Sequence, residues 1–305
     1  MKKFLLTLSV FLLCLLSLAG LFLFVLSPSF PMNVEAFVHL EKGMRLMQER
    51  PSGKPVLVLV GGSNLYYGIE NTLIRDALSN DFEVVNFGVH AGIGLGRMLE
   101  DVASCVRKGD VVCLAPEYAH WTDGVWFGRT AAIVYEIDYL KRPLNLFLPR
   151  RYASFPTGGW TEYFRSKIQS LSDKGESGGV SLPDLSKIPG VPEARYAKMH
   201  EAKESPLVVD EASIARFARF LADMKERGVR VVLSAPAYDV RSFVQIKDGV
   251  AALYRRLELM GVEVVSEPAD YAYPPEHIYN TVNHLNAVGR TNRTERLIRD
   301  LKKCL

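Results

Sequence analysis

The sequence is poor in cysteine, and its few cysteines follow no regular spacing. Among 305 residues there are four, Cys14, Cys105, Cys113 and Cys304. Structural zinc sites need closely spaced cysteine or histidine pairs, and disulfide scaffolds need a dense cysteine framework. Neither pattern is present in the chain, and the histidines show no ligand spacing. We therefore expect no metal, no other cofactor and no disulfide framework.

The chain also lacks the charge patterns of nucleic-acid-binding proteins. Basic residues number 37 against 34 acidic ones, giving a net charge of +3, with no long basic run and no internal repeat. A basic patch is the electrostatic footprint of a nucleic-acid-binding domain, so we expect no nucleic-acid partner. The stretch "GIGLG" (Gly92–Gly96) departs from the dinucleotide-binding spacing G-x-G-x-x-G.

A long uncharged apolar run lies at the N-terminus. Lys2 and Lys3 precede an uncharged stretch from Phe4 to Ser29. As a helix rising ~1.5 Å per residue, this stretch would cross a hydrocarbon core of roughly 30 Å, and it exceeds the ~7–15 apolar residues of a cleavable signal peptide. We predict that residues 1–30 are a single-pass membrane anchor with a cytoplasmic N-terminus, and that residues 31–305 are extracytoplasmic. A cleaved signal, and hence a secreted protein, is the alternative.

Further along, short apolar runs alternate with amphipathic stretches. The predicted strands are Val56–Gly62, Phe82–Val89, Asp110–Glu117, Val229–Ala237 and Val262–Pro268. The predicted helices are Ile69–Leu78, Leu95–Val106, Ala212–Arg227, Val240–Met260 and Asn286–Lys303. Strands that are apolar throughout are typical of sheets buried on both faces, and their alternation with helices indicates βαβ units. The sequence thus predicts one α/β domain, a three-layer α/β/α fold around a mostly parallel sheet.

One stretch, residues 157–206, interrupts this alternation. It contains "TGG", "DKGESGG" and "LPDLSKIPG" and shows little periodicity. Long segments without periodicity inside a domain are commonly functional loops. We predict a loop-rich insertion that serves as a lid or as a surface for docking a partner.

Reactive side chains follow the predicted strands. Ligands of open α/β sheets bind at the carboxyl ends of the strands. At those ends the chain has "GGSN", "NFGVHAGIG" and "PEYAHW", while "NTVNHLNAVG" leads into the last helix. The candidate site residues are Ser63, Asn64, Asn86, Gly88, Gly92, Glu117, Tyr118, Asn280 and His284.

This set of residues favours acyl transfer. A serine hydroxyl becomes a nucleophile when a histidine within hydrogen-bond reach takes its proton. The resulting oxyanion needs preorganised donors. We predict Ser63 as nucleophile, His284 as base, and the N–H groups of Ser63 and of Gly88 or Gly92 as oxyanion donors.

The same motifs resemble those of SGNH (GDSL-like) hydrolases. The likeness covers about Val56–Glu117 and Val262–Leu301, and "HLNAVG" before a terminal helix is its most specific part. Within that family the chain is most similar to the membrane-anchored branch that includes alginate O-acetyltransferase and teichoic-acid D-alanylation proteins. The resemblance implies an SGNH/flavodoxin-like fold and O-acyl transfer, with acetyl as the expected group. It also implies an envelope or exported polysaccharide as substrate and a membrane-bound O-acyltransferase as partner.

Two positions depart from the family pattern. The acid that usually precedes the histidine is replaced by Asn280 and Thr281, and the third block ends in Glu117 where an oxyanion asparagine is usual. An asparagine can orient the ring of His284 but cannot stabilise its charged form, and Asp→Asn in this role costs about 10⁴ in rate in a serine protease. Glu117 is a candidate for the missing carboxylate.

Structural roles remain open for each residue. Ser63 and His284 are also suited to capping helices, and Asn86 and Gly88 to forming turns. Glu117 is also compatible with a solvated strand end. The aromatic residues of Tyr118–Trp126 either pack in the core or line a sugar-binding groove. We therefore keep two hypotheses, a serine-dependent O-acyltransferase or esterase and a catalytically lapsed relative that binds polysaccharide or scaffolds an envelope complex.

Overall fold

The computed structural model describes residues 2–26, 43–50, 52–122, 125–126, 128 and 206–305. The predicted insertion at 157–206 lies outside these residues except for Pro206. Helix α1 spans Lys2–Leu26 and belongs to a compact unit distinct from the α/β domain. Within the described part of the chain, no helix is long and apolar enough to cross a membrane. The membrane anchor at residues 1–30 stays a prediction.

The central sheet of the α/β domain has five parallel strands. They are β1 (Val56–Gly61), β2 (Glu83–Gly88), β3 (Val111–Ala115), β4 (Arg230–Leu233) and β6 (Glu263–Val264), in the order β2-β1-β3-β4-β6. Strands β5 (Tyr238–Asp239) and β7 (Ala272–Tyr273) form a separate parallel pair. The predicted parallel α/β sheet is confirmed. The strand order reverses direction at β1, which creates a crevice beyond the carboxyl ends of β1 and β3.

Eight α-helices are assigned in the described residues. They are α1, α2 (43–49), α3 (Ser63–Tyr66), α4 (Asn71–Leu78), α5 (Leu95–Ala103), α6 (Glu211–Glu226), α7 (Val240–Leu259) and α8 (Ala287–Cys304). Side-chain oxygens of Asp210, Asp239 and Asn286 accept hydrogen bonds from the first-turn N–H groups of α6, α7 and α8, as N-caps do. The sequence does not predict α2, α3 or the β5–β7 pair, because each is too short to show a hydrophobic period.

Helices cover both faces of the sheet. On one face, the alternate residues Leu57 and Leu59 of β1 join a buried cluster with Ile74 of α4 and Leu297 of α8. The intervening β1 residues, including Val58, are also fully buried. Helix α5 contacts β1 and α6, and α6 contacts β4. The two central strands β1 and β3 are buried along their whole length, so a site can form beyond their carboxyl ends.

Candidate active site

Ser63 lies at the first turn after β1. The strand ends at Gly61 and α3 begins at Ser63, with Gly62 as the N-cap and no side-chain cap. The Ser63 hydroxyl is therefore not used to cap the helix. A Cβ on Gly61 would lie 2.4 Å from the Ala115 carbonyl oxygen, and one on Gly62 would lie 2.5 Å from Glu117 Oε1. Only glycines let the end of β1 approach β3 so closely.

His284 lies in the loop that leads into α8. The N–H of Tyr279 donates to the His284 carbonyl, and the N–H of His284 donates to the Thr281 carbonyl. The helix is capped by Asn286, whose Oδ1 accepts the Gly289 N–H at 3.0 Å. The His284 side chain is therefore not engaged in capping and points into the site.

The three predicted catalytic side chains form one hydrogen-bonded series. His284 Nε2 lies 2.7 Å from Ser63 Oγ, and His284 Nδ1 lies 2.6 Å from Asn280 Oδ1. An amide oxygen can only accept, so Nδ1 carries the ring proton when Asn280 presents its oxygen. The lone pair on Nε2 then faces the Ser63 hydroxyl. This is the orientation that a general base needs.

The surroundings of His284 keep the ring neutral. Desolvation of the half-buried imidazole lowers its pKa from 6.5 to about 4, and the nearby Glu117 carboxyl opposes part of that shift. The ring of Tyr67 lies against the imidazole, with centroids 4.4 Å apart and planes tilted by 34°. Packing by Tyr67 and the hydrogen bond to Asn280 together fix the ring. No spacing pattern in the sequence connects Tyr67 to His284, so this contact was not predicted.

Glu117 contacts the serine and not the histidine ring. Its Oε1 accepts hydrogen bonds from Ser63 Oγ at 3.0 Å and from the Asn64 N–H at 3.1 Å. The ring nitrogens of His284 contact Asn280 and Ser63 instead. Glu117 is therefore neither a solvated strand-end charge nor the missing carboxylate of a triad. It is 6% exposed and lies beside the nucleophile.

The predicted glycine oxyanion donors are already engaged in this structure. The Gly88 N–H donates to Asn86 Oδ1 at 2.9 Å, and the Gly92 N–H donates to His90 Nδ1 at 3.0 Å. Asn86 in turn donates to Asn71 Oδ1 at 2.8 Å, which holds the end of β2 in a side-chain network. These bonds are at odds with the predicted oxyanion role of Gly88 and Gly92 and favour the turn-forming role of Asn86.

The aromatic residues after β3 pack in the core. Tyr118 is 2% exposed and lies edge-on to Tyr238, while Trp121 is 1% exposed and lies edge-on to Phe217. Burial raises the pKa of Tyr118, so its hydroxyl stays protonated. The predicted ligand-binding role of Tyr118 is at odds with this burial.

Arg293 of α8 anchors the turn that carries Ser63. The sequence patterns did not predict this role. Arg293 is fully buried, and its guanidinium donates to the main-chain oxygen of Asn64 and to Asn64 Oδ1, the latter at 2.8 Å. Asn64 Nδ2 donates to the Ala115 carbonyl at 3.0 Å. Asn64 is thus a structural link between β3, α8 and the serine. Arg293 precedes the buried Leu297 by one helical turn, a spacing that places it on the inward face of α8.

The described residues contain no group of three or more His, Cys, Asp or Glu side chains that could hold a metal ion. Two charged side chains contact Asn64, since Glu117 accepts its N–H and Arg293 donates to its Oδ1. The groups that meet at Ser63 are its hydroxyl, the His284 imidazole, the Asn280 amide beyond it and the Glu117 carboxyl group.

The chain matches no protein-family model and no curated protein. Among solved structures, it is similar to a candidate lipolytic protein of the G-D-S-L family from Desulfitobacterium hafniense DCB-2, at 11% identity and a TM-score of 0.38 over 81% of this chain and 99% of that one. It is also similar to a possible lipase from Chitinophaga pinensis DSM 2588, at 10% identity and a TM-score of 0.37 over 81% of this chain and 98% of that one. Likenesses of this size establish no activity for the chain.

Proposed function

We propose that the chain is a serine-dependent O-acyltransferase or esterase. The observation that supports this best is the series Asn280–His284–Ser63, in which a contact of 2.6 Å joins His284 to Asn280 and one of 2.7 Å joins it to Ser63, 221 positions away in sequence. A turn-forming serine and a helix-end histidine have no need to meet in this way. The half-buried Ser63 lies at the sheet edge where α/β folds bind ligands.

In the proposed reaction Ser63 Oγ attacks the carbonyl carbon of an O-acyl group while His284 Nε2 accepts the serine proton. The hydrogen bond to Asn280 keeps the N–H proton of the neutral His284 ring on Nδ1, so that Nε2 is available as the acceptor. His284 then returns its proton to the departing alkoxy oxygen. Water, or a hydroxyl group of an acceptor, next gives its proton to His284 and bonds to the acyl carbon. The bond from that carbon to Ser63 Oγ breaks, and His284 returns the proton to Ser63 Oγ.

The proposal extends to the substrate of the chain and to its cellular location. The resemblance of "HLNAVG" and "GGSN" to envelope-modifying enzymes supports an acetyl group on an envelope or exported polysaccharide. The uncharged run Phe4–Ser29 supports tethering of the domain to a membrane, outside the cytoplasm. A membrane-bound O-acyltransferase would then deliver the acyl group to the domain.

Covalent labelling tests the proposed nucleophile. The full-length chain, purified in detergent, is treated with a fluorophosphonate probe over a range of about pH 5 to pH 8. Ser79→Ala provides the control, since Ser79 is an exposed serine at the end of α4. We expect labelling of wild type and Ser79→Ala and no labelling of Ser63→Ala. Equal labelling of Ser63→Ala would contradict the proposal.

A second candidate function is binding without catalysis. It is favoured by Glu117, which accepts the Ser63 O–H in competition with His284, and by the engagement of the Gly88 and Gly92 N–H groups. In that case the folded chain would stay unlabelled at every pH, and Ser63→Ala would bind an acetylated polysaccharide as well as wild type does. A pull-down with immobilised polymer measures the second outcome.

A further inference from the structure

The charged form of His284 has an amide, and not a carboxylate, as the hydrogen-bond partner of Nδ1. The ring becomes positively charged when it accepts the Ser63 proton. Asn280 is uncharged, so it cannot offset this charge as the aspartate of a Ser-His-Asp triad does. Burial also disfavours the charged ring, since desolvation lowers the pKa of His284 to about 4. The reaction therefore needs another group that favours the imidazolium.

The ring of Tyr67 is in a position to act as that group. Its centroid lies 4.4 Å from the centroid of the His284 ring, and the planes are tilted by 34°, so the two rings meet mostly by their faces. The face of an aromatic ring is its negative part, and it attracts a cation that lies within ~6 Å of the centroid. His284 gains this attraction when it is protonated and loses it when it is neutral.

The short helix α3 brings the Tyr67 ring and the nucleophile to the same side. Ser63 begins α3, and Tyr67 follows it by one turn, with its N–H donating to the Ser63 carbonyl at 2.9 Å. Side chains separated by one helical turn lie on one face. His284 contacts both residues, through Nε2 to Ser63 Oγ at 2.7 Å and through its ring to Tyr67. One turn of helix thus presents the proton donor and the aromatic face to the base.

Two further tyrosines hold the Tyr67 ring in place. Tyr66 lies edge-on to it, with centroids 5.1 Å apart and planes at 78°, and the Tyr279 ring lies 6.2 Å away at 41°. Aromatic pairs at these separations are favourable. The Tyr279 N–H also donates to the His284 carbonyl at 2.9 Å. The aromatic face is therefore positioned beside the base before the reaction begins.

We propose that Tyr67 is a positioning residue of the acyl-transfer centre, which stabilises the protonated ring of His284 through its aromatic face. Tyr67 thereby takes over part of the role that a carboxylate has in a Ser-His-Asp triad. The inference rests on the proposed Ser63–His284 chemistry and adds to it a residue that acts through the base.

Two titratable side chains also act on the charge of His284. Glu117, after β3, raises the pKa of the ring, and His90, after β2, lowers it. These two residues act through space and in opposite directions. The ring nitrogens themselves contact Ser63 and Asn280. Tyr67 differs from all four because it contacts the face of the ring.

Tyr67 exchanges no proton in this scheme. Ser63 Oγ bonds to the acyl carbon, its proton passes to His284 Nε2, and the carbonyl π pair moves onto oxygen. The imidazolium formed in this step is attracted by the face of Tyr67. When the tetrahedral species collapses, the π pair returns and the bond to the alkoxy oxygen breaks. That oxygen takes the proton from Nε2, and the attraction ends.

Fluorination of the ring at position 67 tests the inference with little change in the shape of the side chain. In the full-length protein, Tyr67 is replaced by phenylalanine and then by phenylalanines of increasing ring fluorination. Each fluorine withdraws electron density from the ring face and weakens its attraction for a cation. The same series at Phe220 of α6, a half-buried ring stacked on Phe217, is the control.

Fluorophosphonate labelling is measured over a range of probe concentrations, which separates the maximal labelling rate from the affinity for the probe. We expect Tyr67→Phe to keep at least about a third of the wild-type maximal rate, because its ring still presents a negative face. Fluorination should then lower the maximal rate stepwise, by about 10-fold in the most fluorinated variant, with the affinity unchanged. Tyr67→Leu, which lacks an aromatic face, should fall as far. The Phe220 series should stay level.

A packing role for Tyr67 would not depend on the electron density of its ring. A maximal rate that is equal throughout the Tyr67 series would therefore overturn the inference. A loss confined to probe affinity, an equal loss in the Phe220 series, or a folded Tyr67→Leu as fast as Tyr67→Phe would overturn it too. Circular dichroism and urea unfolding establish that each variant is folded.

Ser63→Ala separates this inference from the proposed function. In the Tyr67→Phe background, Ser63→Ala should abolish labelling. If labelling survives there, or if the folded wild type stays unlabelled, the proposed nucleophile is wrong and the role of Tyr67 falls with it. Labelling that requires Ser63 but ignores fluorination at position 67 would reject the role of Tyr67 alone.

Discussion

The fully buried guanidinium of Arg293 holds both oxygens of Asn64, the residue that follows Ser63. Desolvation lowers the pKa of Arg293, and electrostatic interactions with the buried tyrosines Tyr273 and Tyr271 oppose the shift. A buried charge is tolerated only where hydrogen bonds replace its hydration. In this fold those bonds fix the turn after β1. Helix α8, the last helix of the domain, thereby positions Asn64, which follows the first strand.

Arg293→Lys should weaken this anchoring. A lysine carries the charge but cannot reproduce the planar fork that holds two oxygens, so at least one buried acceptor loses its partner. We expect the free energy of unfolding to fall by about 2–4 kcal/mol and labelling of Ser63 to slow. Urea unfolding followed by tryptophan fluorescence reports on the domain, since Trp121 and Trp126 are buried in it. Arg299→Lys, at an exposed position of α8, is the control. A stability equal to that of the control would contradict the anchoring role.

The sequence predicts the architecture well because the signals for it are local. The run Val56–Gly62 predicts β1 within one residue, and Val240–Met260 predicts α7 equally well. A continuous apolar stretch indicates a strand buried on both faces, and helical periodicity marks the covering layers. The sequence could not decide whether the aromatic residues around Tyr118 pack in the core or line a groove, because apolar rings suit either location.

The site was predictable only in part. The order of the motifs brings Ser63 and His284 to one edge, and the contact between them is present in the structure. Contacts that depend on side-chain direction were not predictable. Glu117 was considered as a partner for His284, yet its carboxyl turns toward Ser63. The bond from Gly88 to Asn86 likewise depends on one rotamer, which no sequence pattern specifies.

Asn280→Asp should accelerate the reaction if His284 is the base. A carboxylate at position 280 would accept the Nδ1 proton and also stabilise the imidazolium, which the amide cannot do. The reverse change in a serine protease costs about 10⁴ in rate, so an increase of about 10-fold or more in labelling is expected. The pKa of His284 should rise as well. Asn292→Asp adds the same charge at an exposed position of α8 and is the control. If Asn280→Asp and the control label at the same rate, proton transfer to His284 does not limit the reaction.

The lowered pKa of His284 also predicts how stability depends on pH. The ring is neutral in the folded protein down to about pH 4, whereas its ordinary pKa is 6.5. Between these values the unfolded chain binds one more proton than the folded chain, so stability rises with pH through this window and is lost as pH falls. At ~1.4 kcal/mol per pKa unit the loss is of the order of 3 kcal/mol.

Urea unfolding of wild type and of His284→Asn at several pH values isolates this contribution, since the other groups titrate alike in both proteins. We expect the wild-type curve to be the steeper one between about pH 6.5 and pH 4; parallel curves would show that burial does not keep His284 neutral.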